Sequence, residues 1–321
     1  MLCSFKEKFA TLSLDQNDNI MKFGRVENPE NLDFKLPADH VETRKILAQN
    51  DSAGPMNVYV GCAKWNKQDL KNFYPRGTKD ELTYYASQFN AIEMNSTFYR
   101  IYGPEQIINW REKTPEGFRF FPKVNQTISH IRRLNDVQPL VEEYCDAISN
   151  FGNKLGMSFL QMNDNFGYKD YDRLVRFVEN CPKAIPLAVE LRNTKWFNDE
   201  SIAYEVYKLF EKHGATNVLV DTVGRRDLLH MRLTTPTAFI RYVGANDHQS
   251  DRDRLDEWIG RLRTWVDLGL RDIYFFVHQN IEMESPLLSA YFIQQINREF
   301  GMTMKIPNLL LPPEQLNTSL F

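Results

Sequence analysis

Glu93, Lys123, Glu190 and Asp221 each stand near the carboxyl end of a short β-branched or aromatic run, and each is a residue type that moves protons. Their runs are AIEMNSTFY (91–99), RFFPKV (119–124), LAVELR (187–192) and NVLVDT (217–222). Carboxylates beside an amine suit acid/base chemistry, of hydrolase or lyase type, on a small molecule. Glu93, Glu190 and Asp221 with His278 also suit magnesium, manganese or zinc, so a divalent metal is the one cofactor these residues suggest. The neighbouring positions offer groups for a bound substrate: Trp65, Asn95, Thr97, Tyr99, His130, Gln161, Arg192, Trp196, Arg241 and Asn280. Lys123, Arg192 and Arg241 can clamp a carboxylate or phosphate, which points to a small polar or anionic ligand.

Each of these readings has a plainer rival. Polar barrel interiors also form inert networks in which Glu190 neutralises Arg241 or Lys123. A desolvated Lys123 would suit a Schiff base, the lesser of its two chemical readings. Glu93 and Glu190 would make a glycosidase pair if their carboxyls lay roughly 5–10 Å apart, with Trp65, Tyr99 and Trp196 stacked on the sugar. Aromatic residues beside strand ends more often pack under loops. His130, in ISHIRR beside Arg132 and Arg133, could meet a phosphate or simply belong to a solvated basic loop.

The elements that must position these residues are eight strand-like runs. Besides the four above they are NVYVGCAKW (57–65), MSFLQM (157–162), AFIRYVG (238–244) and DIYFFVHQN (272–280). Successive strand starts lie about 20 to 40 residues apart, the length of a βα unit. Alternation along a strand puts Glu93, Asn95 and Thr97 on one side, and Glu190 and Arg192 on one side. Helical stripes fall between the runs. Leu82, Tyr85, Ala86 and Phe89 follow a capping-box pattern at Thr78 and Glu81. Ile202, Val206, Leu209 and Phe210 run to a stop at Gly214. Leu255, Trp258, Ile259, Leu262 and Val266 run to Gly269, and a last helix opens at Ser285 and Pro286. The connection VGRRDLLHMRLTTPT is too short for a helix and two loops. The expected fold is therefore α/β: a TIM-like (β/α)8 barrel over 57–301 with one degenerate βα unit. Residues 1–56 read as an N-terminal extension, partly disordered, whose first 20 residues could precede the native start, and 302–321 as a C-terminal tail.

The formal net charge of −3 over 321 residues disfavours nucleic acid as a partner. Cys3, Cys62, Cys145 and Cys181 have no metal-ligand spacing, which fits a reducing cytoplasm. No apolar stretch approaches the roughly 20 residues of a membrane span. GCAKW is not a phosphate-binding glycine turn, and the chain has no P-loop, GxSxG elbow or HExxH helix. Oligomeric state is not legible.

The stretch FNAIEMNSTFYR (89–100), with GCAKW, FYP (73–75), WREKTPEGFRFFPKV (110–124), ISH (128–130), the Gln of LQM and ELRNTKW (190–196), resembles the family called domain of unknown function 72. The resemblance covers about residues 57 to 300 and implies a TIM-like barrel without a settled reaction. The chain departs from that family's pattern at three places. Gln161-Met162-Asn163-Asp164 stands for Gln-Leu-Pro-Pro, and Arg241-Tyr242-Val243-Gly244 stands for Arg-x-His-Gly, so a family histidine is missing. HQN, with His278 and Asn280, stands for a late Asn-Asn pair. The expected function is an enzyme using acid/base chemistry at the barrel mouth, with metal assistance optional. Its rivals are a non-catalytic ligand- or nucleic-acid-binding barrel and a glycoside hydrolase.

Overall fold

The computed structural model describes residues 26, 29, 32–50 and 54–310, so the expectations for residues 1–20 and for the end of the tail lie outside the described residues. After helix α1 (Val41–Ala48) come strand β1 (Asn57–Cys62), α2 (Glu81–Gln88), β2 (Ala91–Met94), α3 (Ser96–Tyr99), α4 (Pro104–Glu112) and β3 (Arg119–Pro122). Next follow α5 (Gln138–Ser149), β4 (Ser158–Gln161), α6 (Tyr171–Asn180), β5 (Leu187–Glu190), α7 (Glu200–His213) and β6 (Thr216–Thr222). β7 (Thr237–Val243), α8 (His248–Asp267), β8 (Asp272–His278) and α9 (Ser285–Phe300) complete the order.

All strand pairing is parallel, as connections through helices require. One sheet runs β1-β8-β7-β6-β5-β4, and β2 pairs with β3. Single bridges, Phe120 with Leu155 and Lys123 with Phe159, join β3 to the β4 segment. Between β1 and β2 side chains replace the ladder: Asn90 accepts from Val60 N at 2.9 Å and donates to Val58 O at 2.7 Å. Tyr85 OH donates to Ala91 O and accepts from Cys62 N. Gly61 permits this close approach, since a Cβ there would collide with the Ala91 carbonyl. The result is a TIM-like α/β barrel.

Register fixes what faces inward. Arg241 is paired with Val220 and Phe276, while Asp221 is paired with Tyr242 on the opposite face. The interior is filled by an aromatic plug of Phe121, Phe159, Phe239 and Phe276 with Tyr59 and Tyr274; Phe121 lies 4.8 Å from both Tyr274 and Phe276, centroid to centroid. At the strands' carboxyl ends, above this plug, the inward positions of β2, β4, β5, β7 and β8 are polar: Glu93, Gln161, Glu190, Arg241 and His278.

The β6–β7 connection holds only a short 3-10 turn, Arg226–Leu228, in keeping with the degenerate unit read from its length. α1 lies over this gap. Thr43 Oγ1 donates to Met231 O and accepts from Leu233 N, and Asn50 Nδ2 donates to Gly269 O. Leu36 N donates to Glu257 and Arg261 to Pro37 O, both on α8. This part of the N-terminal extension thus covers the barrel. At the other end, Met304 N donates to Asn297 Oδ1 and Asn308 N to Gln88 Oε1, tying the segment after α9 back to α9 and α2.

Two helix starts differ from expectation. Asp80, not Thr78, caps α2 by accepting from Thr83 N, because Thr78 turns to the Pro75 carbonyl. Glu284 is the N-cap of α9, which places Ser285 inside the first turn with Pro286.

Candidate active site

β2 ends at Met94 because Asn95 turns into the αR region and opens α3, so the strand alternation expected to run through Thr97 stops there. Asn95 still reaches the mouth, donating through Nδ2 to Glu93 Oε1 at 2.9 Å. Thr97 does not. Its hydroxyl is bound to Met94 O and Lys123 O, which fastens β2's loop to β3 and fixes the backbone that carries Lys123.

Arg241 is the centre of the site. Nε and Nη2 donate to the two oxygens of Glu93 at 2.8 and 2.9 Å, and Nη1 donates to Glu190 Oε2 at 2.6 Å. His278 Nε2 lies 2.9 Å from Glu93 Oε2. Glu190 also accepts from Arg192 Nε at 2.6 Å and from Gln161 Nε2 at 3.0 Å on each oxygen. Gln161 in turn accepts from Lys123 Nζ at 2.7 Å. The mouth therefore brings together Glu93, Asn95, Lys123, Gln161, Glu190, Arg192, Arg241 and His278.

Burial by itself would raise both glutamate pKa values, but the Arg241 guanidinium outweighs it, helped by His278 at Glu93 and by Arg192 and Gln161 at Glu190. Glu93 is held well below the usual carboxylate range and Glu190 falls to about 2. A carboxyl whose pKa is depressed on folding stabilises the fold fully above its unfolded value and loses that contribution as pH falls through its folded value. Glu190 should thus contribute on the order of 3 kcal/mol at neutral pH, lost between about pH 4.5 and about pH 2. Chemical unfolding of Glu190→Gln should show lower stability at pH 7 and a flatter acid limb than wild type. An unchanged acid limb would mean that Glu190 is not ionised by its partners.

Lys123 is the opposite case. Burial, then Arg241, lowers its amine to about 7, against the pull of Glu190 and Glu93. Among the described residues no carboxylate lies within ion-pair distance of its amine: the carboxylates nearby are bound by Arg241 and Arg192, and Nζ meets the neutral Gln161 and the Phe98 ring at 4.4 Å. His130 packs edge-on against the same ring at 4.8 Å, its Nδ1 held by Ser129 Oγ at 2.9 Å. Burial, then the Lys123 charge, lowers His130 to about 4.

Phe98 and Ser129 were not singled out by sequence reasoning. Phe98 sits in the NSTFY run, and Ser129 in the ISH run, so both were visible only as neighbours of selected residues. The π-turn Thr127–Ile131 that carries His130 gave no sequence signal. Arg133, Leu134 and Asp136 follow it with positive φ, a backbone state that concentrates at functional sites.

Several expected members lie elsewhere. Asp221 faces outward into α8, where it accepts from Arg254 Nη2 and Trp258 Nε1, both at 2.7 Å, and from Arg226. The side chain therefore does not stand at the mouth beside Glu93, Glu190 and His278, where the catalytic and metal-binding expectations had placed it. Among the described residues no group of three or more His, Cys, Asp or Glu side chains is placed to hold a metal, and the two mouth glutamates embrace a guanidinium instead. Trp196 is fully buried beneath loops, donating to Phe166 O, and Trp65 packs edge-on against Trp110. Tyr99 is 71% exposed, and Asn280 is exposed beyond the end of β8.

A family model described as "Protein of unknown function DUF72" matches residues 59–312 of this chain. The chain belongs to the DUF72 family. UPF0759 protein YecE of Escherichia coli strain K12 is 25% identical over 274 residues, covering 78% of this chain and 97% of YecE. UPF0759 protein YunF of Bacillus subtilis strain 168 is 29% identical over 150 residues, 44% of this chain and 52% of YunF. A solved DUF72 structure from Thermotoga maritima superposes with TM-score 0.61 at 25% identity, covering 75% of this chain and 99% of that one. One from Enterococcus faecalis gives 0.60 at 16%, covering 77% and 99%. The family and the barrel are thereby shown. No helix among the described residues is long and apolar enough to cross a membrane.

Proposed function

We propose that this DUF72 protein is a cytoplasmic enzyme that acts on a small polar molecule at the carboxyl end of its barrel by proton transfer, with Lys123 as the base. The observation that carries this reading is the buried Lys123 amine. It titrates at about 7 and has no carboxylate at ion-pair distance among the described residues, so it carries and releases a proton near neutral pH. Glu93, Glu190 and Arg241 supply fixed charge around it, since a carboxylate gripped by a guanidinium in a dry site stays ionised. Arg241 is engaged by both glutamates, so anion recognition would fall to other groups at the mouth. The glycosidase alternative is weaker, because that chemistry needs one carboxylic acid with a raised pKa and both candidates here are lowered. The free cysteines Cys62, Cys145 and Cys181 accord with a reducing compartment.

A capture module is the second reading, favoured by the completeness of the Arg241 network. The test is a thermal-shift screen of sugar phosphates, carboxylates and nucleotides, followed by mass-spectrometric measurement of the depletion of each stabilising compound. Depletion should follow one ionisation near pH 7 and stop in Lys123→Met while the thermal shift persists. Stabilisation without depletion in the wild type would sink the enzyme reading and leave capture.

A further inference from the structure

Lys123 can be more than a base. It lies just past the end of β3, 8% exposed, with its backbone carbonyl tied to Thr97 and its bridge partner Phe159 in the aromatic plug. Charged side chains this deeply buried are normally paired with an opposite charge. Here the available opposite charges are already bound: Arg241 bridges Glu93 and Glu190, and Arg192 holds the remaining side of Glu190. The groups left to the amine are an amide oxygen and a ring face, Gln161 Oε1 at 2.7 Å and Phe98 at 4.4 Å. Both accept N–H bonds, and neither competes for the nitrogen lone pair.

We infer that Lys123 is a covalent nucleophile that forms an imine with an aldehyde or ketone substrate. The inference deepens the proposed proton-transfer reading and rests on it for the location of the site. The neutral amine attacks the carbonyl carbon, a C–N bond forms, and the carbonyl π pair moves onto oxygen. A proton passes from nitrogen to that oxygen, and a second proton lets it depart as water, leaving C=N; amine and carbonyl go to imine and water, with no oxidant or reductant. Three features of the site favour this sequence. The unpaired amine is poised as the free base, the form that attacks. Phe98 and the interior aromatic plug keep the bond away from bulk water. The relay from Nζ through Gln161 to Glu190 puts a fixed negative charge behind the nitrogen, where the protonated imine develops positive charge. An iminium so placed is an electron sink for breaking a bond at the adjacent carbon, which makes lyase chemistry the natural outcome.

The experiment is reductive trapping of the full-length wild-type protein with glyoxylate or glycolaldehyde in the presence of sodium cyanoborohydride near neutral pH, mapped by peptide mass spectrometry. The expected result is saturable modification at Lys123, at least about tenfold faster than at exposed lysines such as Lys212, and lost when the protein is unfolded first. Mapping on the wild type requires no variant to fold; Lys123→Arg adds a control in which the preferential label disappears. Labelling of Lys123 no faster than of Lys212 with both probes overturns the imine. If substrate depletion still follows an ionisation near pH 7 in that case, the base reading survives without it; if depletion is also absent, both readings fall.

Discussion

Arg241→Met should destabilise the protein by about 3–5 kcal/mol, the effect expected when one partner of a buried ion network is removed and the other charges stay behind. The magnitude follows from the arrangement. One guanidinium, 4% exposed, bridges two carboxylates that are 0% and 1% exposed; without its three short bonds Glu190 keeps Arg192, but Glu93 is left with no guanidinium. Without Arg241 the largest influence that lowers both pKa values is gone; Glu190 keeps Arg192 and Gln161, while at Glu93 burial is opposed chiefly by His278, so Glu93 should be the one to take up a proton at neutral pH. The loss should therefore shrink as pH falls toward the glutamates' ordinary range, a pH dependence that simple loss of packing would not show. Adding Glu93→Gln and Glu190→Gln to Arg241→Met should recover part of the stability, because the triple variant no longer buries the two carboxylates that Arg241 neutralises. Urea unfolding of the single and triple variants at neutral and mildly acidic pH measures this. A single variant within about 1 kcal/mol of wild type would show that the three residues do not form a buried network.

The barrel was legible because its signals are local. Eight apolar runs, helical stripes between them and one connection too short for a helix determine the order of elements, and parallel pairing follows from that order. The mouth was legible through residue type: Glu93, Lys123, Gln161, Glu190, Arg192, Arg241 and His278 do meet. How they meet was not. Sequence cannot show that one arginine takes both glutamates, which is a matter of distances across the barrel between β2, β5 and β7. The consequence for Lys123 was equally hidden, since its lack of a carboxylate partner arises from a competition that Arg241 and Arg192 win. The alternation argument failed where the strand ended early, at Met94, and at Thr97 it misread a loop fastener as a mouth residue. The missing family histidine has a spatial counterpart. Val243, at the position where the resemblance places it, is the register partner of His278, so the imidazole comes from the neighbouring strand on the same rung.

Asp221 failed as a site residue for a reason of parity, and it supplies the sharpest separation of structural from chemical roles. It is one residue from the inward-facing Val220, and on a strand that single step sends the side chain to the opposite face. There it meets Arg254, 1% exposed, together with Arg226 and the indole of Trp258, all from beyond β6. Burial would raise its pKa, but Arg254 and then Arg226 outweigh it and hold the carboxylate below its ordinary value. Asp221→Asn keeps the shape but leaves the Arg254 guanidinium short of a counter-charge; Asp251, at 3.2 Å from Nη1, compensates in part. The expected cost is about 3 kcal/mol, read as a lower unfolding midpoint in urea, and α8 should loosen from β6 in hydrogen exchange. The mouth should not notice. Trapping at Lys123 and the ionisation near pH 7 should match wild type at temperatures where the variant is folded, because no hydrogen bond links Asp221 to Gln161, Glu190 or Arg241 among the described residues. Unimpaired stability together with altered Lys123 labelling would place Asp221 in the site after all; lost stability with unaltered labelling assigns it to the seam between strand and helix.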